Sequence, residues 1–211
     1  MSEMILYGRP GWGSVFVEAQ LVWYGLPFEL RTVGDLFADA DARRTLEPVN
    51  PLAQIPTLVL PDGAVMTESA AITLWLADHA GRTDLVPEPT APERPAFLRW
   101  LIFITSNIYP TYTYADDPAR FVPDADARRG FADRVNDYAN RLYGILDDAA
   151  GRPWFLGERF SALDIYVSAL TQWRPGRPWF DANATKLAAI ADAARSKPEL
   201  AEVLARNYPE A

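Results

Sequence analysis

Six consecutive residues, Thr67-Glu68-Ser69-Ala70-Ala71-Ile72, carry groups suited to both charged ends of an α-amino acid. They open a helical pattern, and a helix N-terminus offers unpaired N–H groups that stabilise a carboxylate. Ser69 adds a hydroxyl at the same pole, and the neighbouring Glu68 can accept hydrogen bonds from an ammonium group. Plain helix capping uses the same residue types. A second set, Trp12, Trp100, Phe103, Asn107, Tyr109, Tyr112 and Tyr114 with Trp173 further on, suits a flat apolar molecule. Aromatics at helical spacing also build cores, so at most half of these are expected to face a ligand. Pro110, between Tyr109 and Tyr112, should kink or end its helix and turn the tyrosines. There is no cysteine, which excludes disulfides, a cysteine nucleophile and a cysteine-based metal site, and the one histidine, His79, at the end of its helix, argues against a metal cluster.

The elements that must position these groups follow from periodicity. Met4 to Tyr7 reads as a buried strand stopped by Gly8, Pro10 and Gly11. Val15, Ala19, Val22 and Trp23 recur as on an amphipathic helix, and Phe28 to Val33 alternates as a second, parallel strand. A weak helical segment, Asp39 to Glu47, is broken by Pro48 and Pro51. Ile55 to Leu60 and Ala64 to Met66 form a hairpin about Pro61-Asp62-Gly63, and Thr67 caps a helix through His79. Gly81 to Pro95, with four prolines, reads as a linker. Beyond it lie helices only, with one stripe at Phe97, Leu101, Ile104 and Ile108 and another at Phe131, Val135, Tyr138, Leu142 and Ile145. Further helices start at Ser161, Thr185 and Pro198.

Composition narrows the partners. The 211 residues carry a formal net charge of −8, which argues against nucleic acid. Residues 1–80 hold four basic and ten acidic residues, a balance of −6, leaving −2 for the remainder. No lysine precedes Lys186, so an anion bound by the first segment must meet arginine, backbone N–H groups or a helix pole. No apolar run approaches the roughly 20 residues of a membrane span, and a soluble, cytoplasmic protein is expected.

In this βαβ–ββα context, the proline in Asn50-Pro51-Leu52-Ala53-Gln54-Ile55-Pro56-Thr57-Leu58 looks like the cis-proline of thioredoxin-fold proteins. A cis bend there would leave the Ile55 N–H and C=O free to pair with an extended peptide as an added strand. The run from Asn50 through Ile72 resembles the glutathione-site signature of the cytosolic glutathione transferase family, bacterial type. The likeness is strong over residues 4–80 and mainly architectural beyond residue 90, where Ser161-Ala162-Leu163-Asp164 looks like the family's capping box. Asp164 is thereby expected to serve folding rather than catalysis.

The resemblance implies a thioredoxin-like glutathione-binding domain (1–82), a linker (83–95) and an all-helical bundle (96–211) that supplies the hydrophobic substrate site. It implies glutathione as co-substrate with no other cofactor, a hydrophobic electrophile, a homodimer, and no role for nucleic acid, membrane or metal. The glutathione site is expected at Trp12, Gln54, Ile55, Pro56, Glu68, Ser69 and Asn107, and the electrophile site at Trp12, Phe103, Tyr109 and Tyr112. Arg9, Arg43 and Arg44 are candidates for glutathione's glycine carboxylate. The catalytic step is ionisation of glutathione's thiol, and two hydroxyls compete to assist it: Ser14 at the start of the first helix and Tyr7 at the end of the first strand. Gly11 and Gly13 stand where serine- and cysteine-type members carry the catalytic side chain, so backbone N–H groups are a third source. Lack of cysteine argues against thiol-exchanging classes. A relative that binds glutathione without catalysis is the other reading.

Overall fold

The computed structural model describes residues 3–209. Strand β1 (Met4–Gly8) lies inside a four-stranded sheet ordered β2-β1-β3-β4. Helix α1 (Val15–Tyr24) crosses to β2 (Phe28–Thr32), which runs parallel to β1 with Met4 opposite Phe28. Helix α2 (Ala40–Leu46) starts at Asp39, whose carboxylate accepts the Asp41 and Ala42 N–H groups. Strands β3 (Thr57–Val59) and β4 (Val65–Met66) then pair antiparallel, β3 with β1 and β4 with β3. Helix α3 (Ser69–Ala80) completes a thioredoxin-like unit. Both α1 and α3 stop at a glycine in the left-handed region, Gly25 and Gly81, as such turns require.

The rest is helical: α4 (Arg94–Phe103), a π-helical turn (Ile104–Ile108), α5 (Tyr109–Asp116), a short 3-10 turn (Pro118–Arg120), α6 (Ala127–Ala149), α7 (Ala162–Leu170), α8 (Arg177–Asn183), α9 (Thr185–Arg195) and α10 (Pro198–Asn207). Every residue of α7 is buried, so this helix forms the axis of the bundle. One apolar cluster joins the sheet unit to the bundle, with Phe16 of α1 stacked on Tyr166 of α7 at 4.2 Å between ring centres. The segment between α3 and α4 takes part in it: Leu85 and Val86 are buried, and the Leu85 carbonyl accepts the Ala162 N–H at 2.8 Å.

Four local features differ from the sequence expectation. The residue at the start of α3 is Glu68, not Thr67, held at φ 64°. Ile55 and Pro56 precede β3 rather than opening it. Helix α8 has no clear apolar period and was not foreseen. On α6 the buried face is Ala139, Leu142, Tyr143 and Leu146, while Tyr138 and Ile145 of the expected stripe are exposed. The π turn has a chemical cause beside it. Pro110 lacks an N–H and its ring crowds the carbonyl four residues back, and the wider turn, in which the Tyr109 N–H reaches the Ile104 carbonyl, accommodates this.

Asp164, fully buried at the start of α7, accepts the Phe155 and Ser161 N–H groups at 2.7 Å each, and the Ser161 hydroxyl at 3.2 Å. Replacing it by alanine strips two buried N–H groups of their partner, so unfolding free energy should fall by about 2–4 kcal/mol in urea denaturation. Burial, opposed by those donors, raises the carboxyl from 3.8 to about 6. A proton held more tightly folded than unfolded contributes stability that is complete below the unfolded value and lost as pH rises through about 6. The advantage of the wild-type protein over Asp164→Asn should therefore shrink as pH rises from about 4 to 6.5.

Candidate active site

A cleft of about 330 Å³ lies between the start of α1, the loop after β2, the run before β3, and α5. Gly11, Trp12 and Gly13 form one wall, with Leu36, Phe37 and Arg43 beside them. Ala53, Gln54 and Ile55 form the second wall. Tyr109, Tyr112, Thr113, Asp116, Arg120 and Trp173 form the third. The Trp12 ring packs on Phe37 at 5.2 Å between ring centres, and the Arg9 guanidinium lies over the Trp12 ring, 5.3 Å from its centre.

The second wall is shaped by Asn50, which is buried. Its Nδ2 donates to the Gln54 carbonyl at 2.9 Å and to the Thr57 hydroxyl at 3.0 Å, and its Oδ1 accepts the Leu52 N–H at 3.1 Å. The Thr57 hydroxyl donates to the same Gln54 carbonyl at 2.7 Å. The Ile55–Pro56 bond is cis. Neither the N–H nor the C=O of Ile55 has a hydrogen-bond partner among the described residues. Pro56 itself is buried behind this wall and does not line the cleft. Among the described residues, Ala53 (φ 47°) and Glu68 (φ 64°) are the non-glycine positions with positive φ. Each is a backbone geometry costing about 1–3 kcal/mol that such sites retain.

The structure moves both candidate hydroxyls away from the cleft. Ser14 is 1% exposed, and its Oγ accepts the Arg9 N–H at 3.0 Å while donating to the Arg9 carbonyl at 3.2 Å. A side chain on Gly8 would start 2.7 Å from that Oγ, so glycine is required there. Ser14 thus closes the β1–α1 loop upon itself. The Tyr7 ring packs against Leu36, Leu46 and Ala53, and its hydroxyl accepts from Arg31 Nη1 at 3.1 Å on the solvent side of β2. What faces Gly13 instead is Tyr109: a Cβ on Gly13 would meet the Tyr109 hydroxyl at 3.3 Å and the Ile55 carbonyl at 3.5 Å. That hydroxyl is fully buried and lacks a partner within hydrogen-bond distance among the described residues, the Ser69 side chain being the polar group that faces it. Burial pushes the Tyr109 phenol well above its ordinary range, with Tyr166 and Tyr208 adding to the rise and Ser69 opposing it.

The other expected residues divide. Trp12, Gln54, Ile55, Tyr109 and Tyr112 line the cleft. The Tyr112 hydroxyl pairs with that of Tyr143 at 2.5 Å and donates to the Arg174 carbonyl at 2.8 Å. Ser69 is buried at the first turn of α3 and Glu68 is exposed before it; neither lines the cleft, although Ser69 reaches Tyr109 electrostatically. Asn107 lies in the π turn, its Nδ2 on the Phe103 carbonyl at 3.3 Å, and Phe103 packs edge-on against buried Trp100. Neither lines the cleft, since residues two and six positions before Tyr109 fall on other faces of the helix. Of the arginines, Arg9 pairs with Asp35 and Arg44 with Asp41, whereas Arg43 lines the cleft and, among the described residues, donates its side-chain hydrogen bond to the Leu36 carbonyl. His79 stacks on Trp75. Leu36, Phe37 and Arg120 were not foreseen, since they sit in a loop and a short turn without any periodic signal.

Residues 17–79 match the family model for the glutathione S-transferase N-terminal domain. An uncharacterised GST-like protein of Escherichia coli K12, YncG, is 39% identical over 203 residues, covering 96% of this chain and 97% of its own. The chain belongs to the glutathione transferase family. Glutathione S-transferase GST-4.5 of Xanthomonas campestris is 31% identical over 176 residues, covering 81% of this chain and 82% of its own. A sphingomonad glutathione S-transferase solved in complex with glutathione superposes with a TM-score of 0.75 at 26% identity, covering 95% of this chain and 96% of that one. Within this glutathione transferase fold, Ser14→Ala leaves the Arg9 N–H without its acceptor, while the Arg9 carbonyl keeps the Trp12 N–H at 3.1 Å, and should lower unfolding free energy by about 1–3 kcal/mol. Tyr7→Phe, whose lost hydroxyl faces solvent, should stay within about 0.5 kcal/mol by the same urea titration.

Proposed function

We propose that this family member is a glutathione transferase, one that ionises glutathione's thiol and delivers the thiolate to a hydrophobic electrophile. The observation that carries this reading is the unpaired main chain of Ile55, facing a cleft whose opposite wall is the start of α1. An extended tripeptide pairing with Ile55 as an added strand brings its central side chain against Gly13. There the N–H groups of Gly13 and Ser14 have no partner among the described residues, and the positive pole of α1 favours an anion. Lowering the thiol's pKa by two units is worth about 2.7 kcal/mol. The glutathione-bound sphingomonad relative supports the same ligand.

The γ-glutamyl end is assigned to Glu68 and Ser69 at the start of α3, and the glycine carboxylate to Arg43, which has no acidic partner among the described residues. We assign the side-chain donor for the thiolate to Tyr109 rather than to Ser14 or Tyr7, whose hydroxyls are engaged elsewhere. A phenol held protonated by burial donates a hydrogen bond and does not act as a base. The thiol proton passes to water. The sulfur lone pair forms the new C–S bond as the electrophile's leaving group departs with its electrons, against the aromatic wall of Tyr112, Trp173 and Trp12. The proposal extends to a cytoplasmic homodimer acting in detoxification. A second reading, glutathione binding without catalysis, draws on the engagement of both Ser14 and Tyr7.

Thiolate absorbance of bound glutathione followed against pH decides between them. Ionisation at least one pH unit below that of free glutathione is expected, and titration identical to the free thiol would leave only the binding reading. Tyr109→Phe should raise the bound thiol's pKa and lower turnover about 10-fold or more, with glutathione affinity little changed. Its thermal stability should hold or improve, because the lost hydroxyl has no partner within hydrogen-bond distance among the described residues. Gly13→Ala, which fills the space between Tyr109 and Ile55, should weaken glutathione binding at least 10-fold by calorimetry.

A further inference from the structure

The Gly11 peptide, at the lip of the cleft, is held from both sides by the helical domain. Its N–H donates to Oδ1 of Asn207, the last residue of α10, at 3.1 Å. Its C=O accepts the indole N–H of Trp173 at 2.7 Å, and the same N–H reaches the Tyr208 hydroxyl at 3.1 Å. Gly11 sits at φ 77°, a geometry that glycine tolerates and that gives the loop no side chain with which to fix itself. The partners are themselves anchored. Asn207 is 5% exposed, and its Nδ2 donates to Glu18 Oε2 at 2.8 Å and to the Val203 carbonyl at 2.9 Å. Glu18, 2% exposed in the first turn of α1, also receives Arg206 on Oε1. Trp173 packs edge-on against Phe16, Tyr109 and Tyr112.

Each partner therefore ties the loop to something that matters for the cleft. Through Glu18, Asn207 fixes Gly11 relative to α1, whose pole faces the ligand. Through its ring contacts, Trp173 fixes Gly11 relative to the tyrosines of the third wall. Ser14 closes the other end of the same loop on Arg9. The unpaired N–H groups at Gly13 and Ser14 thus stand on a segment with both flanks clamped, and one residue, Trp12, separates the clamp from Gly13.

We infer that Asn207 and Trp173 are positioning residues for thiol ionisation, setting the Gly11–Gly13 loop so that its free N–H groups meet the sulfur. This rests on the glutathione reading above and extends it: the end of the chain, remote in sequence from the ligand, sets the acidity of the bound thiol. Preorganised donors need no rearrangement when charge develops, and a displacement of about 1 Å at such a site costs up to about 100-fold in rate.

The test titrates glutathione bound to Asn207→Ala, Trp173→Phe and the double variant by thiolate absorbance, alongside kcat and KM. Trp173→Phe keeps an aromatic ring while removing the indole donor, so it carries the test if Asn207→Ala folds poorly. Each single variant should raise the bound thiol's pKa by about 0.5–1 unit and lower kcat about 3- to 10-fold with a smaller change in KM. The double variant should fall short of the sum, because both act on one peptide. Glu202→Ala removes an exposed partner of Arg206 on the same helix and should leave the titration as in wild type. If both single variants bind glutathione and titrate it as wild type does, the inference is overturned even where their melting temperatures fall. A wild-type protein that neither binds glutathione nor lowers its thiol pKa overturns the functional reading itself, and this inference with it.

Discussion

A main-chain N–H or C=O beside a packed core must find a partner or face a ligand, and this rule governs the cleft. Asn50 and Thr57 together satisfy the Gln54 carbonyl and hold the bend ahead of β3. Ser14 satisfies both polar groups of Arg9, and Asn207 with Trp173 satisfies both polar groups of Gly11. Among the groups without partners in the described residues are the Ile55 main chain on one wall and the N–H groups of Gly13 and Ser14 on the other. Neighbouring groups are satisfied by dedicated side chains, so the unpaired ones converge on one space.

The two structural units depend on each other through this arrangement. The sheet unit supplies the polar main chain, but the helical unit supplies the aromatic wall and the hydrogen bonds that hold the Gly11 loop. Phe16 passes between them, stacked on Tyr166 and edge-on to Tyr109 and Trp173. Glu18 illustrates how electrostatics serve the same joint. An acidic residue in the first turn suits the pole of α1, and its burial is compensated by Arg206 and Asn207 from α10.

Much of the architecture was legible because strands and helices advertise themselves by period. Met4–Tyr7, the crossing helix and the Pro61-Asp62-Gly63 turn follow from spacing and turn chemistry alone, and the Ser161–Asp164 cap is a local motif with local geometry. Thr67 against Glu68 as the start of α3 was missed because the choice lies in one backbone torsion, φ 64° at Glu68, which residue type does not announce. The stripe on α6 was misread by one position: Tyr138 and Ile145 are apolar yet exposed, and burial is a property of the neighbours, not of the residue. Phe103 and Asn107 lie off the cleft because residues six and two positions before Tyr109 fall on other faces of the helix, while Pro110 signalled a distortion but not that it would be a π turn.

By itself, the sequence determined the order of elements, the acidic and cysteine-free chemistry, and most of the segments from which the cleft is built. Those properties reside in residue type and short-range spacing. Tertiary structure alone decided which hydroxyl stands near Gly13. Ser14 and Tyr7 carry the right group in the right segment, but one is consumed by Arg9 and the other turns toward Arg31, while Tyr109 arrives from a helix about a hundred residues away. A hydrogen bond needs an orientation and a distance, and for groups far apart in the chain both are set only when the two units pack.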